Sequence, residues 1–244
     1  MGAEAARGLS GAPAGILHGA GLSMSARPYD VITFDCYGTL IDWDGGITGA
    51  FAKAVAETGG GLDPGRVFEA YEKIEAEVEA EGYRSYREVL TESTRRVARQ
   101  LAWALPESRA GFLAESLPFW IPFPDTNAAL ERLFKAGYQL GILSNVDDDL
   151  LAGTRKHFTV PFDPIVTAQQ VRSYKPADGH FVTARERIGG RRWLHAAQSH
   201  FHDVTPARRL GIATAWINRK RQVRGEPRPD RELHTLTELA DWLA

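Results

Sequence analysis

The chain has 244 residues, 43% apolar and 25% charged, with a formal net charge of −2, which fits one generous packed domain or a core with a smaller insert. The near-neutral balance gives no electrostatic ground for a nucleic-acid or anionic-membrane partner. Cys36 is the single cysteine, which excludes an intramolecular disulfide and points to a reducing, cytoplasmic setting, and no apolar run approaches the ~20 residues that span a bilayer.

Residues 1–28 are rich in Gly and Ala and lack the basic start and continuous apolar stretch of a secretory signal. They are expected to form a disordered tail, with Met24 a candidate natural start. Residues 29–35 (YDVITFD) read as a buried strand, ended by CYGTL, where Gly38 permits a tight turn. From 46 to 117 the pattern turns helical: 66–81 carries apolar residues at helical spacing among many acids, and 86–104 does so with more bases.

Beyond Pro124 helices and strands alternate. Helices are expected at 125–136, 147–156, 178–188, 205–210 and 236–243, and strands at 138–143, 164–167, 193–197 and 213–217. Alternation argues for a parallel sheet covered on both faces. The fold class is therefore α/β: a Rossmann-like core over 29–45 and 118–244, with a helical cap (46–117) inserted after the first strand.

The reactive side chains fall where such a sheet binds ligands, at the carboxyl ends of its strands. Asp35 ends the first strand, and Ser144 and Asn145 end the second. Lys175 follows the third by a short loop, and Gln198, Ser199, His200 and Asp203 follow the fourth. Singly, each reads as a turn, cap or solvated loop residue. Their joint placement at four successive strand ends is what points to chemistry.

The segment Asp35-Cys36-Tyr37-Gly38-Thr39-Leu40-Ile41-Asp42 resembles the first motif of the haloacid dehalogenase superfamily. Ser144 in LGILSN, Lys175 in SYKP and Asp203 in QSHFHD resemble its second, third and fourth motifs, in order. The resemblance implies a covalent mechanism. Asp35 attacks an electrophilic centre, Lys175 keeps it ionised, Thr39 and Ser144 donate hydrogen bonds, and Asp203 orients or deprotonates the water that hydrolyses the ester. The family's phosphatases carry a second aspartate two residues after the nucleophile to protonate a leaving alcohol. Tyr37 stands there instead. A halide leaves as a stable anion and needs no proton, so the difference favours carbon–halogen cleavage.

DCYGTLIDW is similar to the type II L-2-haloacid dehalogenases, which implies small 2-haloalkanoic acid substrates, inversion and no metal cofactor. Asn145 matches a residue that contacts the departing halide, and Tyr37, Gln198, Ser199 and His200 are candidate substrate contacts. The chain departs from that pattern in three places. The first cap helix lacks the arginine expected to hold halide and substrate, leaving Lys73, Arg84 and Arg87 as candidate replacements; 198–200 reads Gln-Ser-His; and Phe181 replaces a tyrosine.

Two other functions compete. One is a magnesium-dependent phosphatase with Asp35 and Asp203 as ligands; the other is a non-catalytic binding protein, against which the retention of Asp35, Lys175 and Asp203 argues. His195, His200 and His202 lack the cysteines or second ligand group of a zinc site, and His195 reads as a packed strand residue. Trp43, Trp120, Trp193 and Trp216 read as packing, with Trp43 and Trp120 near the expected hinges, and the basic stretch 219–228 reads as a solvated loop. The expected partner is a small molecule, with a homodimer the one assembly envisaged.

Overall fold

The computed structural model describes residues 27–58, 61–223 and 225–244. The expected disordered tail over residues 1–28 thus lies outside the described residues, except that Arg27 donates to the Ala136 carbonyl (3.2 Å) and stacks over Tyr138.

Strand β1 (Val31–Phe34) is buried on both faces, as its apolar and β-branched run requires. The chain then passes through helices α1 (Trp43–Thr58), α2 (Pro64–Ala80), α3 (Tyr86–Gln100) and α4 (Phe112–Ser116) before α5 (Thr126–Lys135) and β2 (Gln139–Ser144). There follow α6 (Asp148–Thr154), β3 (Ile165–Thr167), α7 (Ala168–Val171), α8 (Gly179–Ile188), β4 (Trp193–Ala197), α9 (Thr205–Arg209), β5 (Ala213–Ile217), β6 (Arg231–Leu233) and α10 (Leu236–Leu243). The six strands form one sheet in the order β3-β2-β1-β4-β5-β6, every pair parallel. Strand order reverses beside β1, the place where open parallel sheets form a crevice.

Three elements differ from expectation, one of them α7, which has no counterpart among the expected helices. Helix α1 starts at Trp43, three residues ahead of the expected boundary at 46. Strand β6 has no counterpart among the expected strands; it adds to the free edge of β5 through Ala215, Trp216 and Ile217.

The helices between β1 and β2 begin where the sequence supplies caps. Asp63 accepts from the Arg66 amide with Pro64 at the first position of α2, and Ser85 and Glu88 form a reciprocal capping box on α3. The start of α3 is also tied to the core: Asp147, just after β2, accepts from the amides of Tyr86 and Arg87 at 2.9 Å each. A buried carboxylate at a helix N-terminus meets unpaired amides and the positive end of the dipole together. Tight packing closes the hinge side, where a Cβ at Gly46 would come within 2.4 Å of the Trp120 ring. One apolar core runs from β1 through Phe51, Tyr71 and Leu113 of the inserted helices, so insert and sheet share an interior.

Candidate active site

The site is built at the carboxyl end of β1. Asp35 follows the strand, and the chain turns back at once: the Leu40 and Ile41 amides donate to the Cys36 carbonyl, while Gly38 takes φ +88°, open to glycine at little steric cost. This turn carries Thr39 over Asp35, where its hydroxyl donates to Asp35 Oδ2 at 2.9 Å. The same Thr39 oxygen accepts from the Gln198 amide at 2.9 Å, so the β1 and β4 ends brace each other.

Lys175 enters from the loop between α7 and α8 and is 2% exposed. Its ammonium donates to Asp35 Oδ1 (2.9 Å), Asp203 Oδ1 (2.6 Å) and the Leu143 carbonyl (2.9 Å). Three hydrogens meet three acceptors, so the ammonium is saturated. The loop is fixed by Asn145, whose amide accepts from the Lys175 backbone N–H at 2.7 Å and donates to its carbonyl at 3.1 Å. Asn145 lines the cavity, but both ends of its amide serve to hold Lys175.

The buried triad is electrostatically uneven. Burial pushes Asp35 up, Lys175 pulls it down and Asp203 pushes it up again, leaving it above the ordinary aspartate value. Burial also works against the charge on Asp203, but Lys175 and the His195 hydrogen bond outweigh it and hold that carboxyl low. Burial disfavours the charge on Lys175, yet the two carboxylates keep its value raised.

His195 is the residue that sequence reasoning missed. Instead of merely packing, its Nε2 lies 2.9 Å from Asp203 Oδ1 and its Nδ1 lies 2.8 Å from the Thr33 hydroxyl. Trp193 Nε1 donates to that same hydroxyl at 2.7 Å. A neutral imidazole protonated on Nε2 satisfies the whole chain: Trp193 to Thr33, Thr33 to His195, His195 to Asp203. Phe181 meets the His195 ring edge-on at 5.3 Å.

Two polar atoms of the site have no partner among the described residues: the Ser144 hydroxyl and Asp203 Oδ2, on residues 0% and 1% exposed. Both residues line a cavity of about 510 Å³ that also includes Asp35, Tyr37, Lys175 and Trp43. Orphaned buried polar atoms beside a cavity mark where substrate oxygens or water bind. Gln198, Ser199 and His200 line it too, but each has a local bond: the Gln198 carbonyl accepts from Trp216, the Ser199 hydroxyl accepts from the His202 amide, and His200 Nε2 lies 3.1 Å from the Pro227 carbonyl. Tyr37 packs edge-on to Trp120, and its hydroxyl pairs with Thr154 at 2.8 Å.

The residues expected to replace the cap arginine do not do so. None of Lys73, Arg84 and Arg87 reaches the cavity wall; Arg84 pairs with Glu81 and Arg87 with Asp149. The α2 face of the cavity presents Glu72, Glu75 and Glu79 instead. Trp120 lines a separate cavity on the hinge side. Among the described residues there is no cluster of three or more metal-binding side chains, and no helix is long and apolar enough to cross a membrane.

Comparison with known proteins gives a consistent picture. Residues 29–200 match the family of haloacid dehalogenase-like hydrolases. An (S)-2-haloacid dehalogenase of Pseudomonas putida is 28% identical over 231 residues, covering 89% of this chain and 99% of the relative. That of Pseudomonas sp. strain YL is 26% identical, over 86% of this chain and 92% of the relative. Among solved structures, a defluorinating L-2-haloacid dehalogenase superposes with a TM-score of 0.77 at 24% identity, over 88% of this chain and 95% of that one. The Xanthobacter autotrophicus L-2-haloacid dehalogenase with chloropropionic acid covalently bound gives 0.75 at 20% identity, over 87% and 97%.

Proposed function

Because the chain belongs to the haloacid dehalogenase-like hydrolase family, we propose that it is a hydrolase cleaving the carbon–halogen bond of small 2-haloalkanoic acids through an ester on Asp35, giving 2-hydroxy acids and halide. The observation that carries this reading is Tyr37. It occupies the position of the phosphatases' general acid, and its hydroxyl, on a half-buried side chain and with a pKa pushed well up by desolvation, is held on Thr154. An alkoxide leaving group lacks a proton donor there; a halide needs none. The curated relatives that share most of this chain's length are (S)-2-haloacid dehalogenases, which supports the same substrate class.

In the first step an Asp35 carboxylate oxygen forms a bond to the halogen-bearing carbon, and the carbon–halogen bond breaks with its electron pair leaving on the halide. Thr39 and Lys175 hold both carboxylate oxygens, so the attacking group meets the carbon in one orientation. In the second step water attacks Cγ of the ester and the Cγ–O bond breaks; one proton of the water ends on the departing oxygen, which began on Asp35 and leaves as the hydroxyl of the product, and the other passes to solvent as Asp35 returns to a carboxylate. Asp203 has its Oδ1 occupied by Lys175 and His195, while Oδ2 is the lone-pair donor available to that water. A carboxyl held low by its neighbours is a weak base, so its larger contribution is to orient the water.

Residues 46–117 act in this reading as a cap that closes over Asp35. The chemistry needs no metal, and the enzyme works in the cytoplasm. Under the phosphatase alternative, Asp35 and Asp203 would be the magnesium ligands. Both are paired with the one ammonium of Lys175, and the second aspartate of the motif is absent.

Halide release from chloro-, bromo- and fluoroacetate, with and without chelator, tests the proposal. Release that a chelator leaves unchanged is expected. Magnesium-dependent phosphate release with no halide release from any of the three would refute it. Single turnover in ¹⁸O-water should place the label on Asp35 before it reaches product.

A further inference from the structure

The wall of the cavity facing Asp35 is acidic, and it is built to be so. Glu75 and Glu79 lie one turn apart on α2, both half-buried and both lining the cavity. Glu75 is not a solvated helix acid. Its Oε1 accepts from the hydroxyls of buried Tyr71 (2.7 Å) and Tyr86 (2.8 Å). Two phenols on one oxygen fix the carboxyl and leave Oε2 without a hydrogen bond among the described residues. Burial pushes Glu75 up to about 7 despite those two donors, and burial together with Glu75 pushes Glu79 well above the usual carboxylate range. A group that donates hydrogens to these carboxyls, or carries positive charge, is favoured beside them; another carboxylate is repelled.

The lysines of the wall do not offset this. Lys175 has committed all three hydrogens, and Lys220 pairs with Asp44. On the opposite, core side, Ser144 is fully buried, lines the same cavity and has an unpartnered hydroxyl, which marks a place for a ligand oxygen. A volume of about 510 Å³ is within the range of sites for molecules larger than a two- or three-carbon acid.

We propose that the cavity takes a 2-haloalkanoic acid longer than haloacetate or halopropionate whose far end is a nitrogen bearing N–H donors, an amide or an ammonium, bound by Glu75 and Glu79 while the halogen-bearing carbon faces Asp35. This rests on the carbon–halogen reading above. The specificity then lies in the α2 wall, and the chemistry in the strand ends.

The test is bromide release at pH 7 from four acids whose tails run four or five heavy atoms beyond the halogen-bearing carbon: 2-bromohexanoate, 2-bromo-4-carbamoylbutanoate, 2-bromopentanedioate and 6-amino-2-bromohexanoate. The N–H-bearing tails should exceed both others in kcat/KM by about tenfold or more, as expected for one well-made polar contact. The amide and amine arms separate a neutral donor from a cation. In the Glu75→Gln/Glu79→Gln double variant the preference should shrink to near parity. Bromide release with the apolar or dicarboxylate tail preferred would overturn the inference and leave the dehalogenase reading standing. No bromide from any of the four, nor halide from chloroacetate, would overturn both.

Discussion

Lys175 and Asp203 form a 2.6 Å ion pair between side chains exposed by only 2% and 1%. The same ammonium also holds Asp35, so one cation serves two buried carboxylates. Breaking such a set by removing its cation leaves uncompensated charge in the interior and costs about 3–5 kcal/mol. Lys175→Met should therefore lose stability of that order in urea unfolding at pH 7 and release no measurable halide. A variant as stable as the parent would mean that the carboxylates take up protons rather than depend on Lys175.

The raised value of Asp35 makes a pH prediction with a definite sign. The nucleophile must be ionised, so activity is present above its folded value and lost as pH falls through it. Because burial and Asp203 raise that value, the acid limb of kcat/KM should lie above the ~3.9 of an ordinary aspartate. The Thr39 hydrogen bond lowers it, so Thr39→Val should move the limb further up. A pH–rate profile with an unmoved limb in Thr39→Val would remove Thr39 from the control of Asp35.

How far the sequence carried depended on whether a role is set by local pattern or by packing. Asp35, Ser144, Lys175 and Asp203 were legible because short, continuous apolar runs and their ends locate the crevice, and the four residues do converge there. Strand β6 escaped because it is three residues long, with its first residue exposed and only Leu233 buried, so it has no apolar alternation to detect. His195 escaped because a polar residue inside a strand looks like any inward-facing position; only the approach of Asp203, eight residues on, gives it a partner. Glu75 and Glu79 were hidden among the many acids of 66–81. Which of them turn inward is decided by how α2 packs against α3, through Tyr71 and Tyr86, and no periodicity reports that.

The polar chain through His195 should matter to the reaction as well as to stability. Replacing it with Phe removes the donor to Asp203 Oδ1 and the acceptor for Thr33, leaving buried groups short of a partner at a cost of about 1–3 kcal/mol. With Asp203 less firmly held, ester hydrolysis should slow by about tenfold or more. Burst kinetics give the readout: His195→Phe should keep a fast halide burst and show a slower steady state. His195→Gln, which can still donate to Asp203, should recover part of the loss. An equal fall in burst and steady-state rates would place His195 in the first step instead.

Tyr37 separates the two chemistries the fold could carry. Its hydroxyl bonds to Thr154 at 2.8 Å, so Tyr37→Phe deletes one half-buried hydrogen bond and should cost about 1 kcal/mol of stability. If the leaving group is a halide, the hydroxyl donates no proton to it, and halide release in Tyr37→Phe should stay within about threefold of the parent, a change worth less than about 1 kcal/mol. Tyr37→Asp restores the acid of the phosphatase motif but sets a further carboxylate beside Asp35 and Asp203, with Lys175 still the shared cation. Like charge raises the value of the nucleophile, so halide release at pH 7 should fall about tenfold or more and its acid limb should move up. A hundredfold loss in Tyr37→Phe with unchanged stability would instead make the phenol a proton donor, and a leaving group that needs a proton is not a halide.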